Sequence, residues 1–292
     1  MSTHAKSLPA VVVTGASSGI GAATALHLAA RGYRVFAGVR READGAALLK
    51  EAPAGTLEPL LFDVTDAVQR AAALKQVAGA VGAAGLAGIV SNAGTVVFGA
   101  LEELPLDELR AQFEINFFGA VGFIQAFLPL VRQGKGRVVV MSSISGKLSM
   151  PFIAPYCSSK FALEAFADAL RLELAPEGLF VSLIEPGAVR TPIFEKAGKA
   201  AEARMQAWSA ELKSRYGSRV AALKRVTAES FEKAVKPEKV ARVVEQALTA
   251  RKPKPRYVIG SEAPWVSLFL RLTTDRLRDA VILGQLKPKK GE

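Results

Sequence analysis

Short apolar runs alternate along this chain with longer stretches of helical period. The runs cover residues 10–14, 33–39, 57–62, 87–90, 137–141, 179–184 and 256–259. Most are rich in valine, isoleucine and leucine without polar alternation, the pattern of a strand covered on both faces in a parallel sheet. The stretches 22–31, 66–81, 106–131, 155 to about 171, and 237–250 read as helices instead. Strand and helix in alternation predict an α/β fold, a doubly wound parallel sheet of about seven strands. Residues 188–236 break the rhythm as a long irregular or helical insertion, expected to be a substrate loop that shapes the pocket. With no internal repeat, low-complexity segment or linker in the sequence, one domain is expected over 8–260, with 261–292 as a C-terminal extension.

The strand ends carry the candidate chemistry. The first strand runs into Gly15-Ala16-Ser17-Ser18-Gly19-Ile20-Gly21, and an alanine-rich helical stretch follows. Strand, glycine loop and helix N-terminus form a phosphate cradle: the glycines let backbone approach the anion and the helix dipole favours it. The second strand ends Val39-Arg40-Arg41, with no acid until Glu42. An acid there would bind ribose hydroxyls, whereas an arginine suits a 2′-phosphate; a solvated arginine pair is the alternative. The third strand closes on Asp63-Val64 and the fourth on Ser91-Asn92-Ala93-Gly94. Asn116 stands among Phe113, Ile115, Phe117 and Phe118. A polar amide in such a stretch needs a hydrogen-bonding task, structural or functional.

The fifth strand is followed by Ser142-Ser143-Ile144-Ser145-Gly146, then by Tyr156 and Lys160. Four residues apart on a helix, the phenol and the ammonium share one face. A nearby cation lowers a phenol's pKa, and a hydroxyl such as Ser143 can hold a substrate oxygen. The trio suits proton transfer to or from a carbonyl or alcohol. The competing reading is an amphipathic helix with one interfacial tyrosine and one solvated lysine.

Composition narrows the classes. Half of the 292 residues are hydrophobic, ample for a large core. One cysteine, Cys157, excludes an internal disulfide framework and fits a reducing compartment. With only His4 and His27 beside it, no protein-built metal site is expected. Residues 1–9 lack the apolar core of a secretory signal, and no spanning segment is expected, so the expected location is cytoplasmic. The charge is uneven: residues 1–187 hold 15 Lys/Arg against 16 Asp/Glu, while residues 188–292 hold 23 against 11. The basic residues are scattered without interleaved aromatics, so nucleic acid is not expected as a partner. A basic surface toward anionic lipid or phosphorylated ligands remains open. Trp265, Leu268, Phe269, Leu272, Leu277, Val281 and Ile282 form an apolar stripe if helical, flanked by Arg271, Arg276 and Arg278 and followed by Lys287, Lys289 and Lys290. That segment is either a lid over the insertion or a peripheral membrane contact.

These residues, in this order, resemble the short-chain dehydrogenase/reductases over about 8–260. The resemblance is carried by Thr14 through Gly21, Asp63, Asn92-Ala93-Gly94, Asn116, Ser143, Tyr156, Lys160 and Pro186-Gly187, with Ser143 thirteen residues before Tyr156. It implies a Rossmann-like fold. Tyr156 would be the general acid/base, Lys160 would lower its pKa and bind the nicotinamide ribose, Ser143 would hold the substrate oxygen, and Asn116 would anchor a relay water. Gly15, Ser17, Ser18, Gly19, Ile20 and Gly21 would cradle the cofactor phosphates. Asp63 and Val64 would meet adenine, and Asn92, Ala93 and Gly94 would support the cleft. Pro186, Gly187, Val189 and Thr191 would line the nicotinamide side.

Within the family, Arg40 resembles the NADP(H)-preferring branch rather than NAD(H) users, although Ser17 and Ser18 sit where some NADP users carry a basic residue. The ending Arg256 to Gly260 with its apolar, basic tail resembles hydroxysteroid and retinol dehydrogenase-like members. The implied function is oxidoreduction of a hydrophobic primary or secondary alcohol and its aldehyde or ketone, steroid-, retinoid- or lipid-like. A non-catalytic dinucleotide-binding regulator or a membrane-surface lipid binder are the alternatives. The complete Asn116, Ser143, Tyr156 and Lys160 set argues against a pure sensor. Equivalent helices in the family pair across a two-fold axis, implying a homodimer or tetramer.

Overall fold

A computed structural model describes residues 8–260, 269 and 272–287. It contains a parallel sheet in the order β3-β2-β1-β4-β5-β6-β7. The strands are β1 (Ala10–Val13), β2 (Arg34–Val39), β3 (Leu57–Leu61), β4 (Gly88–Ser91), β5 (Arg137–Met141), β6 (Phe180–Pro186) and β7 (Arg256–Ile259). The doubly wound sheet read from the apolar runs is present, and its seven strands match the expected count.

Side chains leave successive strand positions on opposite faces, which explains the unbroken valine runs. Val12, Ile89, Val138 and Val140 enter one core; Val11, Val13, Val90 and Val139 enter the other. The first core is covered by α3 (Ala67–Val81), α5 (Ala120–Gln133) and α6 (Ala154–Leu174). The second is covered by α1 (Gly19–Ala30), α2 (Glu42–Glu51) and α9 (Pro237–Thr249). β1 lies between β2 and β4, so the winding reverses there and opens a crevice at the carboxyl ends of the strands.

Three features differ from the pattern along the chain. α2 was not legible, because only Gly45 and Leu48 of it are buried. The single helix expected over 106–131 is instead α4 (Leu106–Phe113), a π-helical segment at Glu114–Gly119, and α5. Residues 106–133 are also long and apolar enough to cross a membrane, against the expectation of no such segment. Here Phe123, Ile124 and Phe127 are fully buried in the core under the sheet, as a core helix of a globular fold would have them.

The insertion forms α7 (Pro192–Gln206) and α8 (Ala210–Glu232). A parallel bridge between Val189 and Val235 closes its base. Trp208 and Val220 pack with Ala100 and Phe152 in a small separate core, and Arg204 binds the Phe98 carbonyl and the Glu108 carboxylate. After β7, α10 (Asp275–Gln285) is tied to α8 by Arg225, whose guanidinium donates to the carbonyls of Gln285 and Lys287, and Leu286 is buried. Leu272, Leu277, Val281 and Leu283 remain exposed. Trp265, Leu268, Arg271, Lys289 and Lys290 of the expected stripe lie outside the described residues.

Candidate active site

The glycine loop owes its shape to contacts only glycine allows. Gly15 has φ +65°, and a Cβ there would lie 2.7 Å from the Ala93 Cα. A Cβ on Gly21 would lie 2.1 Å from the Gly15 carbonyl oxygen. Asn92 holds the loop in place: its Nδ2 donates to the Thr14 carbonyl at 2.9 Å. Thr14 Oγ1 in turn accepts from the backbone of Asn92 at 2.9 Å and of Ala93 at 3.0 Å. Bare backbone therefore faces the start of α1, where unpaired N–H groups and the helix dipole favour an anion. A dinucleotide pyrophosphate fits this cradle.

Arg40 leaves the end of β2 into solvent, its side chain 72% exposed, with Asp63 Oδ2 at 3.7 Å. Burial opposes ionisation of Asp63. Hydrogen bonds from Thr65 N at 2.9 Å and Thr65 Oγ1 at 2.8 Å, with Arg40 beside them, outweigh it and hold the carboxyl below its ordinary range. A guanidinium so loosely held is free to grip a phosphate.

At the other end of the crevice, Ser143, Tyr156 and Lys160 converge from β5 and α6. Pro155 is in the first turn of α6, where its missing N–H costs nothing, and it launches Tyr156 and Lys160 one turn apart. All three side chains are buried. Ser143 Oγ donates to the Pro186 carbonyl at 3.4 Å and accepts from Ser145 N at 3.1 Å. Lys160 Nζ donates to the Met141 carbonyl at 2.7 Å and lies 5.8 Å from the centre of the Tyr156 ring. Burial pushes the phenol up to about 12, against the lowering influence of the Ser143 hydroxyl. Burial also draws the ammonium down to about 8, against Glu164. Burial dominates the tyrosine, and Lys160, 5.8 Å from the ring centre, does not offset it.

Asn116 stands behind the site, fully buried. Its Oδ1 accepts from Thr95 N at 2.8 Å, and its Nδ2 donates to the Thr95 carbonyl at 3.0 Å and to Ser159 Oγ at 3.1 Å. Ser159 Oγ donates to the Tyr156 carbonyl at 2.8 Å. The amide thus ties the π-helical segment to the turn bearing Tyr156, and π turns recur at functional sites.

A single cleft of about 490 Å³ joins these parts. Every cofactor-side residue expected from the sequence lines it, as do Ser143, Tyr156 and Lys160; Asn116 does not. The sequence reading gave the insertion 188–236 the substrate pocket but named none of the residues of the apolar wall, Val96, Ile115, Ile193, Phe194, Ala197 and Ala200, with Lys196 at its edge. Four of the six wall residues come from α7, whose placement no local signal reveals.

Comparison with known proteins agrees with this geometry. The family model for the short chain dehydrogenases matches residues 9–202. The chain is 36% identical over 281 residues to the NADPH-dependent 3-dehydrocapnine reductase of Ornithobacterium rhinotracheale, covering 94% of this chain and 96% of that one. It is 38% identical over 279 residues to human 17-beta-hydroxysteroid dehydrogenase type 1, covering 92% and 81%. A crystal structure of a short-chain dehydrogenase from Streptomyces avermitilis superposes with a TM-score of 0.76 at 30% identity, covering 96% and 98%. The chain belongs to the short-chain dehydrogenase/reductase family. It is an NAD(P)-dependent oxidoreductase acting between alcohols and carbonyl compounds.

Proposed function

We propose that this enzyme uses NADP(H) to interconvert a hydrophobic alcohol, primary or secondary, and its aldehyde or ketone, with Tyr156 as general acid/base. The carrying observation is the continuity of one cleft from the glycine cradle, past the Ser143 and Tyr156 side chains that line it, to an apolar wall. Such a wall suits a steroid-, retinoid- or lipid-like substrate.

The loop from Gly15 to Gly21 would hold the pyrophosphate, Asp63 and Val64 would flank the adenine, and Arg40 would bind a 2′-phosphate. Asn92, Ala93 and Gly94 support the cradle, while Pro186, Gly187, Val189 and Thr191 flank the nicotinamide end. The bound dinucleotide supplies or accepts the hydride. Everything else falls to the chain. Ser143 holds the carbonyl oxygen, and the neutral Tyr156 phenol gives it a proton during reduction. Lys160 stabilises the phenolate left behind and orients the ribose. In the other direction the phenolate takes the alcohol proton. Asn116 serves the proton relay by fixing the π turn against Ser159 and the turn that bears Tyr156. The NADPH-dependent relative and the hydroxysteroid dehydrogenase relative support the cofactor and the substrate class.

Exposed Phe118, Phe161 and Leu172 on the face of the π segment and α6 support a homodimer joined through it. A cytoplasmic enzyme that touches membranes peripherally is supported by the exposed leucines of α10 and the basic balance of the C-terminal third. Vesicle co-sedimentation with anionic and neutral lipid checks that contact. NADPH oxidation at neutral pH with decanal, retinal and a steroid ketone tests the main reading; no turnover with any apolar carbonyl would count against it.

A further inference from the structure

One helical turn beyond Lys160, α6 carries a second buried charge. Glu164 is 7% exposed and does not line the cleft. Gly146, in the loop after β5, packs directly on it: a Cβ there would lie 2.9 Å from Glu164 Cγ, 3.0 Å from Ser142 Oγ and 3.1 Å from the Lys160 carbonyl oxygen. Glu164 Oε2 accepts from Arg256 Nε at 3.1 Å. Its Oε1 is buried with no hydrogen-bond partner among the described residues, and so is Ser142 Oγ. A carboxylate oxygen left in that state is poorly screened, and its field reaches the charge four residues away on the same helix face.

The charged and titratable groups around this pair come from every packed element. Tyr156, Cys157, Asp168 and Arg171 lie on α6, Lys147 follows β5, Glu185 is on β6 and Arg256 on β7. Glu185 is fully buried. Lys147 Nζ lies 2.7 Å and Arg256 Nε 3.1 Å from Glu185 Oε1. Asp168 takes Arg256 at 2.5 Å and Arg171 at 3.2 Å. Glu164, Asp168 and Glu185 therefore face Lys147, Arg171 and Arg256, and the cluster balances without Lys160. Removing one member leaves an excess charge, whose sign Lys160 feels.

We propose that Glu164 is a positioning residue for Lys160: its buried carboxylate keeps the ammonium charged, and so sets the pH above which the site fails. This rests on the role given to Lys160 above and extends it to a residue outside the cleft. Burial already brings the lysine to the edge of neutralisation, and Glu164 is the group opposing that loss.

The test is the titration of Lys160 Nζ by NMR in lysine-labelled, ligand-free enzyme, beside the pH profile of kcat/KM for NADPH-driven reduction of the most active carbonyl. Glu164→Gln should lower the lysine titration and the alkaline limb together by about one pH unit. Arg256→Gln, which leaves the carboxylate unopposed, should move both upward. Glu164→Asp should restore the wild-type limb. If Glu164→Gln does not fold, the upward shift in Arg256→Gln reads the same field from the other side. An unmoved lysine in Glu164→Gln would overturn the proposal, as would movement of both Gln variants in one direction, the result expected of a merely structural ion pair. A lysine that shifts while the rate profile stays put would instead retire Lys160 from the proton chemistry and leave its charge governed by Glu164.

Discussion

The Lys160 ammonium lies 5.8 Å from the centre of the Tyr156 ring, while its hydrogen bond runs to the Met141 carbonyl. The two side chains share a face of α6 and a dry pocket, and burial pushes both toward their neutral forms. A phenol that keeps its proton to about 12 is a ready acid for carbonyl reduction. A phenolate for alcohol oxidation has to be generated against that burial.

Tyr156→Phe removes the hydroxyl and keeps the ring. Turnover should fall at least ~10²-fold, the usual scale for a lost general acid or base. NADPH should still bind, as read by its fluorescence. Near-normal turnover would take Tyr156 out of the mechanism.

Reduction should weaken as pH rises through about 8, where Lys160 loses its charge. The stability sign is opposite. The folded pKa of Lys160 lies below its ordinary 10.5, so the buried charge opposes folding at neutral pH, and its contribution improves between the two values. Tyr156 acts the other way, its stabilising share being lost as pH climbs from its ordinary 10 toward 12. Lys160→Met should therefore gain about 1–3 kcal/mol at pH 7 in denaturant unfolding while losing activity. A less stable Met variant would contradict the sign.

Arg40→Asp replaces a phosphate partner with a ribose acceptor. The preference for NADP over NAD, measured as a ratio of kcat/KM, should swing toward NAD by at least about tenfold, the lower range for a lost charged hydrogen bond. Should the wild type itself favour NAD, Arg40 has some other task, such as its contact with Asp63 at 3.7 Å.

Asn116→Ala strands the Thr95 N–H and takes one partner from the Thr95 carbonyl and the Ser159 hydroxyl, which keep Gln112 Nε2 and the Tyr156 carbonyl. Unpaired buried groups of this kind cost about 1–3 kcal/mol each. The variant should unfold at lower denaturant and lose activity even where it remains folded. Unchanged stability would mean that water or a relaxed turn replaces the amide.

Phe118, Phe161 and Leu172 are exposed large apolar residues on the face of the π segment and α6. Sedimentation at micromolar protein should show a dimer, and Phe161→Glu combined with Leu172→Glu should dissociate it. A wild-type monomer would leave that face without the partner proposed for it.

Much of this enzyme is written locally. Seven short, mostly apolar runs dictated the parallel strands, because a strand covered on both faces needs no polar alternation. The glycines between Thr14 and Gly21 were legible because only glycine permits the close backbone approach at Gly15 and Gly21. The four-residue interval between Tyr156 and Lys160 likewise announced a shared helix face. What the sequence could not show depends on residues far apart meeting in a dry place. The π turn at Asn116 forms against Thr95 and Ser159, and the apolar wall forms when α7 folds over the cleft. Glu164 meets Arg256 across 92 positions of chain. The protonation of Tyr156 and Lys160 belongs to the same class: spacing put the two side chains together, but burial set their charge. Desolvation is a property of the packed interior, so only the tertiary structure decides it.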